Sequence, residues 1–184
     1  MLNEEHLTSV HRWATRGAEL ASASLQKLHT SDSGLEVREV RATTLGELPE
    51  RLFCYDGECV AGVACRFEGG LFGTSLLAMD PEDALAWVRS KPDAKDPIES
   101  FVCLGDTVQS NIAVEIAGGL GIEMHTVGSE LREDSVPLIL FGTHAPSDAV
   151  VVAISLIVAA GDQVLPVHLY MMVESKVLDT ALAA

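Results

Sequence analysis

The chain has 184 residues, a formal net charge of −15 at neutral pH and an apolar fraction of 48%. This length and composition fit one globular domain and exclude a disordered chain. The surplus of acidic residues repels phosphate backbones and anionic lipid, which argues against nucleic-acid binding and against binding to a membrane surface. Two explanations of the acidity stay open, a salt-rich cytoplasm and simple solubility.

No segment predicts membrane insertion, export or metal binding. The longest apolar run, Ala149 to Ala160, is interrupted by Ser155 and is too short to span a bilayer. The first six residues lack the basic start and the apolar centre of a signal peptide. The four cysteines form no CxxC pair and the six histidines no HxH or HxxxH pair. We therefore predict a cytoplasmic protein without metal or cofactor, and interpret His168, in a predicted strand, as a structural residue.

The first predicted element is an amphipathic helix from Asn3 to about Thr30. Small and apolar residues recur along it at steps of three and four, which places them on one stripe. The stripe consists of Leu7, Val10, Ala14, Ala18, Ala21, Leu25 and Leu28. The opposite side carries Thr8, Arg12, Thr15, Glu19 and Ala23. The polar cluster 31–34 is expected to end the helix.

Three strands and a short helix are predicted next. The strands are Val37–Thr44, Cys59–Phe67 and Leu71–Met79, and the last two form a hairpin around Gly69-Gly70. Asp80 then favours a helix from Pro81 to Arg89, because an aspartate cap followed by proline is a strong helix start. A polar linker, 90–97, closes the first half.

The second half repeats this order with a spacing of about 90 residues. A helix from Ile98 to about Leu120 has a buried stripe of Phe101, Leu104, Val108, Ile112 and Ile116. The predicted strands are Val136–Gly142, Ala149–Ala160 and Leu165–Val173, and a last short helix starts at about Ser175. The order of helix, three strands and helix therefore occurs twice.

These elements predict an α+β fold. Two pseudo-symmetric helix–three-strand–helix halves, approximately 1–95 and 96–184, join into one sheet-centred domain that spans 1–184. We expect the apolar strand 149–160 to be central and buried on both faces. The alternative is an α+β domain without an internal repeat.

Four stretches of the first half carry a resemblance to a known family. They are Leu48-Pro49-Glu50-Arg51-Leu52, Val60-Ala61-Gly62-Val63, the glycine-bearing hairpin 67–77 and Pro81-Glu82-Asp83-Ala84-Leu85. A strand that ends in a glycine turn is followed by a second strand and a short helix. This arrangement resembles the CheC, CheX and flagellar-switch middle-domain family, and the duplicated layout extends the resemblance over nearly the whole chain.

The resemblance implies removal of phosphate from the aspartyl-phosphate of a CheY-like receiver domain by a Glu-x-x-Asn pair on one or both long helices. It implies that the glutamate binds the receiver's lysine while the asparagine amide orients water. The matching positions here hold Arg12 and Thr15 on the first helix, and Cys103 and Asp106 on the second. An aspartate would set a carboxylate against the phosphoryl group, and Arg12 would meet the lysine as a like charge. No catalytic residue is therefore assigned.

Two other residue pairs on the second helix are possible alternatives to the family's Glu-x-x-Asn pair. A slipped register would present Val108 and Asn111, but Val108 belongs to the buried stripe. Asn111 and Glu115 lie four residues apart, so they could hydrogen-bond each other as a reversed acid–amide pair. We favour a solvated helix edge for these two residues.

The outward faces of the two long helices form the predicted partner-binding surface. For each of its residues an ordinary solvated surface is the alternative, and Trp13 either anchors a partner or packs under a neighbouring element. The surface consists of Thr8, Arg12, Trp13, Thr15, Glu19, Glu99, Cys103, Asp106 and Ser110.

The sequence thus predicts an interaction protein of chemotaxis or two-component signalling, with weak or absent phosphatase activity. The resemblance implies a CheY-like receiver domain or a CheD-like protein as the partner, and a homodimer is a further expectation. Two alternatives stay open. One is an active aspartyl-phosphate phosphatase that uses the substituted residues, and the other is a structural interaction domain of a motility or adaptor assembly.

Overall fold

The computed structural model of the protein describes residues 2–28, 34–48, 59–91, 96–142, 145, 148–175, 178 and 180. The helices in this part are α1 (Glu4–Leu28), α2 (Pro81–Arg89), α3 (Pro97–Gly119) and α4 (Val136–Phe141), with a 3-10 turn at Leu45–Glu47. The strands are β1 (Leu35–Thr44), β2 (Val60–Gly69), β3 (Gly73–Met79), β4 (Met124–Asp134), β5 (Val150–Ala160) and β6 (Gln163–Val173).

The strands form one antiparallel sheet in the order β1-β5-β6-β3-β2-β4. Exchanging β1 with β4, β2 with β5 and β3 with β6 gives the same order read from the opposite edge of the sheet, as a two-fold repeat requires. The central strands β3 and β6 join the halves, and the first strand of each half lies at an edge, beside the second strand of the other half. The predicted α+β fold with two pseudo-symmetric halves is confirmed. The boundary at 95/96 stays a prediction.

The predicted central position of strand 149–160 is wrong. The strand is β5, and it lies second from the edge, between β1 and β6. Its residues are nonetheless buried on both faces, since Val152 and Ile154 belong to one core and Val151 and Ala153 to the other. The continuous apolar run therefore reflects helices and loops that cover both faces of the sheet, and not the position of the strand within it.

The predicted strand Val136–Gly142 is also wrong, because this segment is the helix α4. Ser135 precedes it and Pro137 lies in its first turn, where the missing N–H of proline leaves no hydrogen bond unmade. A short apolar run does not distinguish a strand from a helix. The first strand of the second half is instead Met124–Asp134, an edge strand whose exposed polar residues give little apolar signal.

Some predicted features lie outside the described residues. They are the helix end at 31–33, residues 49–52 of the family-like stretch, Cys54, linker residues 92–95 and most of the last helix. Of that helix, Ser175, Leu178 and Thr180 have helical backbone.

The main core lies between the sheet and the long helices α1 and α3, which pack side by side on one face. Five residues of the predicted α1 stripe are confirmed as buried, namely Val10, Ala14, Ala18, Ala21 and Leu25, as are all five of the α3 stripe. Leu7 is partly buried, and the side chain of Leu28 lies outside the described part of the chain. A smaller core on the other face contains Leu45, Leu140 and Tyr170. None of the helices in the described part of the chain has the length and hydropathy needed to cross a bilayer.

The two long helices are antiparallel and touch at Gly17. A Cβ atom on Gly17 would lie 2.5 Å from the Cα atom of Ile112, so a larger residue would push the helices apart. Trp13 lies near Gly119 and Arg16 near Glu115, which gives the antiparallel register. Three further small residues of α1, Ala14, Ala18 and Ala21, are buried as well.

Candidate partner-binding site

The two candidate motif pairs lie at opposite ends of the helix pair. Because α1 and α3 are antiparallel, Arg12 and Thr15 lie near the end of α3, where Trp13 meets Gly119. Cys103 and Asp106 lie in the first half of α3, beside the last turns of α1 by the same register. The fold therefore produces two separate candidate surfaces and not one composite site.

The α1 surface consists of Thr8, Arg12, Thr15 and Glu19, and none of these four side chains is an amide. Thr8, Arg12 and Glu19 are exposed, and Thr15 is half-buried. The Thr15 hydroxyl donates to the backbone oxygen of His11 at 2.8 Å, and the Thr8 hydroxyl donates to Glu4 at 2.9 Å. These hydroxyl protons are satisfied within the helix, so the charged side chains of Arg12 and Glu19 are what this surface offers to a partner.

Trp13 is half-buried and packs against α3. A Cβ atom on Gly119 would lie 2.1 Å from the Trp13 ring atom Cε2, so the indole occupies the space that the glycine leaves. The ring also borders the main core. This contact favours the interpretation that Trp13 packs under a neighbouring element over the interpretation that it anchors a partner. Leu20, on the same helix, is exposed.

The α3 surface divides into exposed and half-buried residues. Glu99 and Cys103 are exposed. Asp106 accepts a hydrogen bond from the hydroxyl of Ser129, and the hydroxyls of Ser110 and Thr126 lie 2.8 Å apart. Asp106 and Ser110 therefore face the edge strand β4 and not the outward surface on which the sequence prediction placed them.

A β-bulge in β4 brings Ser129 into this contact. Between the pairs Ala64–Glu130 and Arg66–Val127, β4 has one more residue than β2. Gly128, within the bulge, has a φ of +67°, a backbone conformation that glycine adopts without steric strain. Bulges redirect side chains, and this one directs Ser129 toward Asp106. Sequence reasoning missed this contact because it did not predict β4.

A groove of about 620 Å³ runs between α3 and β4. Its lining is Ile98, Glu99, Val102, Cys103, Asp106 and residues 126–129. The charged side chains of this lining are two carboxylates. An ionised carboxylate accepts hydrogen bonds but cannot donate one, so Asp106 cannot both donate to and accept from a water, as an amide can.

A buried polar network lies beneath the candidate site and includes Gln109 of α3, which is 1% exposed. Its amide nitrogen donates to the backbone oxygen of Val63 at 3.1 Å. Its carbonyl oxygen accepts from the hydroxyl of Ser75 and from the thiol of Cys65, the latter at 3.5 Å. The network therefore ties α3 to β2 and β3. The sequence contained one sign of this network, since the amide residue Gln109 directly follows Val108 of the buried stripe.

Cys65 is a structural thiol in this network. Burial raises its pKa, the hydrogen bond with Ser75 opposes the rise, and the negative charge of Asp106 adds to it. A thiol with a raised pKa stays protonated at neutral pH and is a poor nucleophile. His168 is also partly buried, and burial lowers its pKa to about 4, so the imidazole is neutral at physiological pH.

The reversed acid–amide pair of α3 makes its bonds elsewhere. The Asn111 amide donates to the backbone oxygen of Thr107 at 2.8 Å. Glu115 forms an ion pair with Arg16 of α1, with 3.3 Å between the Arg16 Nε and a carboxylate oxygen. Neither bond joins Asn111 to Glu115, and the ion pair instead links the two long helices.

Three comparisons relate this chain to known proteins. Its sequence matches no family model and no curated protein. Among solved structures, FliY of Thermotoga maritima is 12% identical, with a TM-score of 0.74 over 100% of this chain and 96% of that chain. A chain of the FliG–FliM complex from H. pylori is 12% identical, with a TM-score of 0.64 over 97% and 100%. A chain of the CheX–CheY–BeF3–Mg²⁺ complex from Borrelia burgdorferi is 16% identical, with a TM-score of 0.51 over 89% and 98%.

At these identities the similarity concerns the fold. It extends over 89% or more of both chains in each comparison, so it covers both halves. The protein therefore has the CheC/CheX-like fold that FliY, FliM and CheX share, as the sequence resemblance implied.

Proposed function

We propose that the protein is an interaction module of chemotaxis or flagellar-switch signalling that binds a CheY-like receiver domain and has weak or no phosphatase activity. The main support is a fold similar to that of a CheX–CheY complex chain, combined with the loss of the Glu-x-x-Asn pair at both motif positions. The scaffold is retained while the catalytic residue types are replaced.

Receiver binding is proposed at the α3 surface. The resemblance implies that a glutamate attracts the receiver's lysine, and Arg12 on the α1 surface would repel it. On α3, Glu99 is exposed and lies one helical turn before Cys103, the family's glutamate position. Glu99 is therefore the carboxylate that we propose for the lysine contact.

Weak or absent catalysis follows from the geometry of Asp106. Its carboxylate is half-buried and bonded to Ser129, so it turns toward β4. A carboxylate that reached the phosphoryl group would also add repulsion between like charges. The α1 surface offers Thr15, whose hydroxyl proton is donated to His11.

The binding proposal is tested by titrating the receiver domains encoded in the same genome, each activated with beryllofluoride and Mg²⁺, in a calorimeter. We expect one activated receiver to bind, and Glu99→Lys to weaken it by about tenfold or more. Glu19→Lys is the matched control, since it makes the same charge change on the exposed face of α1 and should change the affinity little. Failure of every receiver to bind would refute the proposal.

The catalytic proposal is tested by following phosphate release from the phosphorylated receiver. Stoichiometric wild-type protein should accelerate release little. The triple variant Cys103→Glu, Asp106→Asn and Ser129→Ala installs the acid-x-x-amide pair around Leu104-Gly105 and removes the hydroxyl that bonds residue 106 to β4. We expect it to accelerate release. Rapid release by the wild type, lost in Asp106→Ala, Cys103→Ala or Thr15→Ala, would instead support the alternative of an active phosphatase.

A second candidate function is a structural interaction domain of a motility assembly. One observation favours it, since the TM-scores with the FliY and FliM structures, 0.74 and 0.64, exceed the 0.51 of the CheX complex chain. Purified FliG-like protein from the same genome would be the probe, and a stable complex without receiver binding would support this function. A CheD-like ligand and a homodimer stay predictions, to be checked by the same titration and by sedimentation.

A further inference from the structure

A second groove adjoins the α3 surface, between α2, the first turn of α3 and β4. It has a volume of about 140 Å³. Its apolar lining includes Pro81, Leu85, Val88, Ile98, Phe101 and Leu131. Ile98 is 57% exposed and Leu85 39% exposed, so their apolar surface remains in contact with water. Ile98 lines both this groove and the α3–β4 groove, so the two grooves are neighbours with Ile98 at their border.

The surroundings of this groove are acidic. Glu133 lines this groove, and Glu99 and Asp106 line the neighbouring α3–β4 groove. Among the described residues that line either groove, none is a lysine or an arginine. Glu82 and Asp83 lie in the first turn of α2, next to the groove residue Pro81.

These carboxylates have no basic partner within the described part of the chain. The ion pairs found there join other residues, such as Arg16 with Glu115 and Arg132 with Glu130. The pKa of Asp83 is raised, first by burial and then by the neighbouring charges of Asp80 and Glu82. An apolar groove with a rim of uncompensated negative charge is therefore complementary to an apolar side chain with basic neighbours.

We propose that this groove binds a segment of a partner protein that presents a large apolar side chain flanked by lysine or arginine. Burial of Ile98 and Leu85 against such a side chain would remove apolar surface from water, while the basic neighbours would meet Glu99 and Glu133. A second copy of this chain fits poorly, because its net charge is −15 and its second half has only Arg132 and Lys176 as basic residues.

The proposal does not depend on receiver binding. The receiver test changes Glu99, whereas the groove test changes Ile98, Leu85 and Glu133. Each proposal can therefore fail while the other stands.

The probe is a fluorescein-labelled amphipathic peptide of leucine and lysine, with a leucine and glutamate peptide of the same pattern for comparison. Fluorescence anisotropy should show saturable binding of the lysine peptide, and Ile98→Ser should weaken it by about tenfold or more, as expected for the loss of a buried isoleucine contact. Glu133→Gln should weaken binding less and reduce its dependence on salt. The glutamate peptide should not bind.

Leu138→Ser is the matched control. Leu138 is 60% exposed but lies on α4, which packs against the other face of the sheet, so this variant should bind the lysine peptide like the wild type. Circular dichroism melts of Ile98→Ser and Leu138→Ser establish that both variants fold. Leu85→Ser provides a second groove variant whose side chain is also partly exposed.

Four outcomes would overturn the proposal. They are absence of saturable binding by the lysine peptide, binding that Ile98→Ser and Leu85→Ser leave unchanged, equal binding of the glutamate peptide, and conversion of a dimer to a monomer by Ile98→Ser in sedimentation. The last outcome would assign the groove to contact between copies of this chain.

Discussion

Gln109 illustrates, at the scale of the residue, how a side chain without a predicted role supports the candidate site. It is a buried amide with hydrogen bonds to Val63, Ser75 and Cys65. Buried amides that are fully bonded position the elements they join, because breaking one bond leaves a polar group without water or partner. Gln109 lies one residue before Ser110 and three after Asp106, so it fixes the part of α3 that carries these two residues beside β4.

Gln109→Ala should lower the free energy of unfolding by about 2–4 kcal/mol, since it removes three hydrogen bonds and leaves a cavity between α3 and the sheet. Asn111→Ala is the matched control on the same helix. The Asn111 side chain is half-buried and bonds only to the preceding turn, and alanine is a better helix former, so the change should stay within about 0.5 kcal/mol. Urea unfolding measures both, and equal effects of the two variants would contradict a positioning role for Gln109.

At the scale of the element, the contact between α1 and α3 depends on Gly17 of α1. Gly17 permits the contact with Ile112, because the Cβ atom of any larger residue would overlap the α3 backbone. The contact aligns the two outward faces, so both candidate surfaces depend on it. Gly118 gives a contrast, because a Cβ atom on it would meet nothing within 4 Å.

Gly17→Ala should destabilise the protein by about 1–3 kcal/mol, because the added methyl group overlaps the α3 backbone. Gly118→Ala makes the same chemical change in α3 at an open position, and should stabilise the protein by up to about 1 kcal/mol through the greater helix propensity of alanine. Thermal unfolding of both variants tests this. If both alanines shifted the melting temperature in the same direction, the close contact at Gly17 would be refuted.

The excess of acidic residues affects the stability of the whole molecule. Acidic residues outnumber lysine and arginine by 27 to 12, so mutual repulsion destabilises the compact state. The edge strand β4 adds to this repulsion, because it exposes Glu130, Glu133 and Asp134. Exposed charge at a sheet edge also disfavours pairing with another chain.

Sodium chloride should therefore raise the melting temperature. Going from about 0.05 M to about 0.5 M shortens the Debye length from about 14 Å to about 4 Å and screens this repulsion, for an expected rise of about 3 °C or more. The double variant Glu133→Lys with Asp134→Lys carries less net negative charge, so its melting temperature should rise less with salt. A melting temperature that is insensitive to salt, or equal rises in both proteins, would show that net charge contributes little to stability.

Patterns in the sequence were sufficient to predict the elements whose signals are local. The stripes of α1 and α3 follow from residues three and four apart, and α2 follows from the Asp80 cap and Pro81. The repeat, and the absence of Glu-x-x-Asn at the two motif positions, are also properties of the sequence alone. From these features the sequence predicts the α+β fold, its two halves and weak or absent catalysis.

Tertiary structure alone decided the position of β5 in the sheet, the helical state of α4 and the edge strand β4. It also decided that Asp106 faces Ser129, 23 residues away in the chain, and that Gln109 bonds to Val63, 46 residues away. Such contacts leave no periodic signal, because they depend on how separate elements pack and not on the spacing of residues within one element. The polar strand β4 was the decisive case, since its register, its bulge and its hydrogen bonds to α3 arise only when β2 and α3 lie beside it.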